Sequence, residues 1–136
     1  MFHTTNEKRT LDNILKAFDD YIREHNSFDI VYSAKIGYIK LQAPYPRDET
    51  PEVVNTPEAL LDALFLEIIN DVMFPPDNPR REHNDSAMTR QEKMECRRRI
   101  AAILETMEDG DKVRCLDFME TYIGEYPESS TQFGRE

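Results

Sequence analysis

The sequence predicts an α+β fold in which four helices pack around a small antiparallel β-hairpin, in the order α-β-β-α-α-α. Three observations lead to this prediction. Apolar residues recur at three- and four-residue spacing over four separate segments, as they do on one face of an amphipathic helix. Only residues 27–42 are dense in β-branched and aromatic side chains. The length of 136 residues fits one domain with a single core.

The first helix is predicted over residues 4–25, where Thr4 and Glu7 match the spacing of a capping box. An apolar face runs along this segment and comprises Leu11, Ile14, Leu15, Phe18, Tyr21 and Ile22. His25 lies in the last predicted turn, where a positive charge interacts favourably with the helix dipole. We therefore interpret His25 as a structural residue.

The hairpin is predicted within residues 27–42. From Phe28 to Tyr38 the even-numbered residues form an apolar row and most odd-numbered ones are polar, which is typical of a strand with one buried face. Beyond Gly37 the apolar residues change parity. A turn between strands near 28–32 and 38–42 explains that change, and a single strand with a bulge at Gly37 is the alternative. An all-helical fold with an irregular segment here also stays open.

A proline-rich connection follows, and the second helix begins after it. Thr56, Pro57 and Glu58 combine an N-cap hydroxyl, a proline at the first helical position and an acid near the positive end of the dipole. The helix predicted over residues 57–73 is the most hydrophobic in the chain, so we expect it to form the centre of the core.

Two further helices are predicted near the C-terminus. Thr89 and Glu92 form a second capping box for a helix over 89–108, with Met94, Ile100, Ile103, Leu104 and Met107 on its buried side. Gly110 suits the position after that helix, and a fourth helix over 112–124 buries Val113, Leu116, Met119, Tyr122 and Ile123. We expect one compact domain over 1–126 with a polar loop at 75–88, followed by a mobile tail at 127–136.

The charge and cysteine content restrict the function. A net charge of −10 disfavours broad binding to nucleic acid or anionic membranes. No apolar run approaches the roughly 20 residues of a membrane span, and because the first residues form no apolar segment, we expect no signal peptide. Two cysteines, Cys96 and Cys115, indicate reduced thiols in the cytosol rather than a disulfide framework. Phosphate-binding glycine loops and zinc-ligand spacings are missing from the sequence, so we assign no catalytic, cofactor-binding or metal-binding residue.

Basic residues are concentrated in one short region. Residues 80–99 carry 7 basic and 4 acidic side chains, although the rest of the chain is acidic. They either pair with the protein's own carboxylates or bind an anionic partner. The candidate partner-binding residues are Arg90, Lys93, Arg97 and Arg98 on the third helix, and Tyr45 between two prolines.

These observations favour a non-enzymatic cytosolic interaction or regulatory module that binds a protein partner or a second copy of itself. One alternative is a small enzyme with a pocket between the hairpin and helix 57–73, using Tyr32, Tyr38, Glu67 or His83. Glu67 and Asp71 are four residues apart and share one side of that helix. Another alternative is a nucleic-acid binder that uses the arginine-rich helix.

Overall fold

The computed structural model describes residues 5–42, 51–75 and 87–128 of the chain. The elements follow in the order α1 (Thr5–Ala17), α2 (Asp19–Glu24), β1 (Phe28–Ser33), β2 (Gly37–Gln42), β3 (Glu52–Val53), α3 (Pro57–Met73), α4 (Arg90–Leu104) and α5 (Asp109–Gly124). The fold is α+β, as predicted. In the described ranges it has five helices rather than four, and three strands rather than two.

The additional helix arises because Phe18 divides the segment predicted as one helix. Its φ of −92° and ψ of 6° lie in the sparsely allowed bridge region, although its carbonyl still accepts a hydrogen bond from Ile22 N–H at 2.9 Å. The Phe18 ring is fully buried and contacts the rings of Tyr21 and Phe65. Periodicity alone carries no sign of this local change in backbone angles. Thr4, the predicted cap, lies outside the described residues.

The hairpin confirms the prediction. β1 and β2 pair antiparallel from Phe28↔Gln42 to Ser33↔Gly37, and residues 34–36 form the turn. Gly37 has a φ of +99°, which accounts for a glycine at the start of the second strand.

Asn55 fastens the turn of the hairpin from outside. Its Oδ1 accepts a hydrogen bond from Tyr38 N–H at 2.7 Å, and its Nδ2 donates to the Ile36 carbonyl at 2.6 Å. The neighbouring two-residue strand β3 pairs antiparallel with β2, through Ile39↔Val53 and Lys40↔Glu52. The sequence analysis treats this segment as an extended connection and does not predict its pairing.

α3 forms the centre of the core, as predicted, and packs against α1, α4 and α5. Ten of its residues are buried: Pro57, Leu60, Leu61, Ala63, Leu64, Phe65, Glu67, Ile68, Ile69 and Met73. Its start is also as predicted, because Thr56 Oγ1 accepts a hydrogen bond from Ala59 N–H at 3.1 Å. The reciprocal capping box of Thr89 and Glu92 is present at the start of α4.

The last two helices differ from the prediction in their bounds and their buried faces. α4 ends at Leu104 and α5 begins at Asp109, so Gly110 lies in the first turn of α5 and not after α4. Met94 and Val113 are exposed, at 60% and 57%. The buried stripe of α4 is Lys93, Cys96, Ile100 and Leu104. Its three- and four-residue spacing excludes Met94, which is turned about 100° from Lys93.

The predicted polar loop and tail are described only at their ends. Met88 is fully buried and forms an isolated parallel bridge with Glu128, in which Met88 N–H donates to the Pro127 carbonyl at 2.9 Å. Residues 76–86 and 129–136, which make up most of that loop and tail, lie outside the described residues. Among the helices that the structure describes, none has the length and apolar character needed to cross a bilayer.

Candidate functional site

The basic side chains of α4 contact acidic side chains of the same molecule. Arg97 Nε lies 3.0 Å from Glu120, and Arg98 and Arg99 reach Glu95 at 2.6 and 2.7 Å. The two guanidinium groups lower the pKa of Glu95 to about 2. Intramolecular pairing, one of the two interpretations of this region, is thus seen for these three arginines.

The remaining candidate partner-binding residues lie in different environments. Arg90 is largely exposed, and its contact with Glu128 is long, at 3.8 Å. Lys93 is buried and its Nζ donates to the Tyr126 carbonyl at 2.8 Å. Its charge therefore faces the interior and does not extend the surface formed by Arg90 and Arg98. Tyr45 lies outside the described residues.

A polar network joins α2, the sheet and α3. Asp71 accepts a hydrogen bond from the Tyr21 hydroxyl at 2.7 Å, and both its carboxylate oxygens lie within 3.1 Å of His25 Nε2. Burial and the hydrogen bond to Asp71 raise the pKa of Tyr21. On the other side of the ring, His25 Nδ1 is 3.0 Å from Ser27 Oγ.

The same network contains a buried ion pair. Lys40 Nζ lies 2.6 Å from Glu67 Oε2, with side-chain exposures of 4% and 9%. Lys40 also contacts the Ala63 carbonyl at 3.4 Å and lies 5.4 Å from the centre of the Phe28 ring. These partners offset the cost of removing two charges from water, and loss of one partner would leave the other uncompensated. Lys40 and Glu67 thus lie paired between the hairpin and α3, the region in which the enzyme alternative places its pocket.

The sequence analysis identifies only part of this network. It singles out Glu67 and Asp71 for their spacing on the most apolar helix, and it interprets His25 as a helix-dipole partner. It does not identify Tyr21, Ser27 or Lys40 as members. The available signal is Lys40, a charged residue on the buried parity of β2, because such a residue needs a partner of opposite charge.

Of the other residues proposed for an enzyme pocket, Tyr32 and Tyr38 stack edge to face at the hairpin tip, with ring centres 5.1 Å apart. Tyr32 is 63% exposed. Tyr38 packs partly on the core, and its hydroxyl lies 3.4 Å from Asp12 of α1. His83 lies outside the described residues.

The second surface of interest is the outer face of the sheet. Phe28, Ile30 and Tyr38 contact the core, so residues of the opposite parity face away from the helices. Four aliphatic side chains lie there, and the strand register places Val31 beside Ile39 and Ile39 beside Val53. We call this group the outer sheet face: Val31, Ile39, Leu41 and Val53.

The Asp29 carboxylate occupies a backbone hydrogen-bond donor at the open edge of β1. The Tyr38 carbonyl accepts a hydrogen bond from Val54 N–H at 2.9 Å, so the backbone N–H and C=O of Tyr38 point toward β3. Tyr32 is paired with Tyr38, so its backbone N–H and C=O point away from β2, toward the open edge of β1. Ile30 has the same orientation as Tyr32, and its N–H donates at 2.8 Å to Asp29 Oδ1. One edge donor is therefore already occupied by an adjacent side chain, which makes strand addition at this edge less favourable.

A shallow groove of about 280 Å³ lies at the end of α5, lined by Tyr122, Glu125, Tyr126 and Pro127. It is remote in sequence from the network of α2, the sheet and α3. Within the ranges that the structure describes, no group of three or more His, Cys, Asp or Glu side chains is close enough together to hold a metal ion.

The chain matches no protein-family model, no curated protein and no solved structure.

Proposed function

We propose that the protein is a cytosolic interaction or regulatory module that binds a protein partner through the outer sheet face. The observation that carries the proposal is the aliphatic character of this face, on the side of the sheet opposite the helices. Val53 is 50% exposed, and aliphatic neighbours adjoin it across β2. Val31, Ile39 and Leu41 are half-buried, and a cluster of partly exposed apolar side chains is typical of interaction surfaces.

The chemistry of the surroundings supports a basic partner. Asp29 lies opposite Leu41 on the outer face, and the exposed Glu52 adjoins Val53 on the other face of β3. With a net charge of −10, a second copy of this chain or a nucleic acid is repelled at long range, whereas a basic protein surface is attracted. The expected partner therefore combines apolar anchors with a basic rim. The two free, buried thiols fit a reducing cytosol.

A matched pair of substitutions tests this proposal. Val53→Asp places a carboxylate on the outer sheet face, and Val113→Asp makes the same change at a similarly exposed position of α5. Immobilised wild-type protein and both variants would be compared for capture from a lysate of the native host. We expect a basic protein to be retained by the wild type and Val113→Asp, and its affinity for Val53→Asp to fall at least about tenfold.

Equal capture by both variants would contradict a site on the outer sheet face. Light scattering of the three proteins over a range of concentrations identifies a second copy as the occupant. In that case the wild type and Val113→Asp would be dimeric and Val53→Asp monomeric, and the proposal of a basic partner would be wrong.

A further inference from the structure

Ser27, His25 and Asp71 form a hydrogen-bonded series where α2 leads into β1. Ser27 Oγ lies 3.0 Å from His25 Nδ1, and His25 Nε2 lies 3.0 and 3.1 Å from the two oxygens of Asp71. A hydroxyl, an imidazole and a carboxylate in this order are the groups that activate a serine for nucleophilic attack. None of the three belongs to the outer sheet face.

The hydrogen bonds determine which imidazole nitrogen carries the proton. Ser27 backbone N–H donates to His25 Nδ1 at 3.3 Å, so Nδ1 is an acceptor. The proton therefore lies on Nε2, facing the Asp71 carboxylate. The backbone N–H and the Ser27 hydroxyl share the single Nδ1 lone pair, and the hydroxyl is the closer donor at 3.0 Å. When the hydroxyl proton moves to Nδ1, the backbone N–H gives up its acceptor, and Asp71 stabilises the resulting imidazolium.

The base is held in place from several sides. The Tyr21 hydroxyl fixes Asp71 at 2.7 Å. The His25 ring packs against the rings of Tyr21 and Phe28, with centre-to-centre distances of 5.2 and 4.9 Å. Such packing maintains the orientation that proton transfer needs. The His25 side chain is 15% exposed, whereas Ser27 is exposed and accessible to an incoming molecule.

Glu67 is the competing acceptor for the Ser27 proton. Its Oε1 lies 3.5 Å from Ser27 Oγ, which is longer than the contact with His25. Its other oxygen is engaged by Lys40 at 2.6 Å, and that ammonium group neutralises the carboxylate. The shorter contact directs the hydroxyl proton to His25.

We propose that Ser27 is an activated nucleophile that accepts an acyl group from a carboxylic ester. Ser27 Oγ bonds to the carbonyl carbon while its proton moves to His25 Nδ1. The ester C–O bond then breaks, and the leaving alkoxide takes that proton to depart as an alcohol. Water, activated by the same imidazole, then adds to the acyl-serine and releases a carboxylic acid and the free hydroxyl.

The test uses a fluorophosphonate, which phosphonylates activated serines, followed by mass-spectrometric mapping of the whole chain. Ser33 is an internal control, because its Oγ accepts hydrogen bonds from the turn amides of Lys35 and Ile36 rather than facing a base. We expect an adduct at Ser27 and not at Ser33. Labelling should slow about a hundredfold in His25→Gln, and added imidazole should restore part of it in His25→Ala.

Several outcomes would overturn the proposal. These are no adduct at Ser27 in the wild type, labelling of Ser27 and Ser33 at equal rates, or an unchanged Ser27 rate in a folded His25→Gln variant. Circular dichroism establishes that the variants are folded. Should both His25 variants unfold, the wild-type comparison decides, and a Ser27 rate at least tenfold above that of Ser33 supports activation.

Discussion

Gly37 combines a backbone requirement with a steric one. Its φ of +99° is rarely adopted by residues with a side chain. A Cβ at this position would also overlap the amide group of Asn55, which fastens the turn by two hydrogen bonds. The geometry of the turn therefore depends on a glycine and an asparagine that are distant in sequence.

Gly37→Ala should destabilise the protein by about 1–3 kcal/mol, because the substitution adds backbone strain and displaces Asn55. Gly110→Ala is the matched control, since a Cβ there meets no atom within 4 Å. It lies in the first turn of α5 and should be neutral or stabilising by up to about 1 kcal/mol. Urea unfolding of both variants measures the difference, and equal effects would contradict this account of Gly37.

At the scale of elements, β1 is the strand most exposed to pairing with another chain. It is the longer of the two edge strands in the order β1-β2-β3, and Asp29 accepts a hydrogen bond from the outward N–H of Ile30. A charged side chain on an edge is a known means of preventing association. This arrangement favours a partner on the face of the sheet over one at its edge.

Asp29→Ala should increase self-association, because it exposes the Ile30 N–H and removes a negative charge from the edge. Asp117→Ala on α5 removes the same charge at an exposed position away from the sheet and is the control. Sedimentation velocity over rising protein concentration should show larger species for Asp29→Ala alone. A monomer at all concentrations would indicate that the edge is protected by other means.

Elements whose signals are local could be predicted from the sequence. Thr56 and Thr89 cap their helices as expected because a cap depends on residues within one turn. The hairpin could be located because alternation and a glycine mark it. The break at Phe18 and the exposure of Val113 depend on packing against other helices, which spacing along one helix does not report.

The candidate site could be predicted only in part for the same reason. Glu67 and Asp71 stand out on an apolar helix, but their partners His25 and Lys40 are 27 or more positions earlier in the chain. Pairing these residues requires knowledge of how the hairpin packs against α3, which no local sequence pattern supplies. The outer sheet face likewise depends on the pairing of β3 with β2. β3 lies in the proline-rich segment, whose sequence does not predict a strand.

At the scale of the whole molecule, two thiols lie in the core without forming a disulfide. Cys96 and Cys115 are fully buried. Burial raises the pKa of Cys96 to about 12 and that of Cys115 to about 11. Both are thus protonated in the folded protein at neutral pH, and the reactive thiolate form is suppressed.

Two measurements check this environment. An aromatic disulfide reagent at pH 8 should leave the native protein unmodified and titrate two thiols in guanidinium chloride.

Above the unfolded thiol pKa of 9.0, the unfolded state loses protons that the folded state keeps, so stability should fall as pH rises from 9 to 12. Each thiol contributes about 1.4 kcal/mol per pH unit within its window. A Cys96→Ala, Cys115→Ala double variant should show a weaker decline, and rapid native modification would contradict the account.

The ion pair of Lys40 and Glu67 also fixes the alignment of the hairpin. Sliding β2 by one residue would turn Lys40 to the solvent side and leave the Glu67 carboxylate in the interior without its counterion. An aliphatic residue at position 40 would remove this penalty and leave the turn held by Asn55 as a remaining constraint on the register. The buried Lys40 ammonium group therefore favours the observed strand register over a register shifted by one residue.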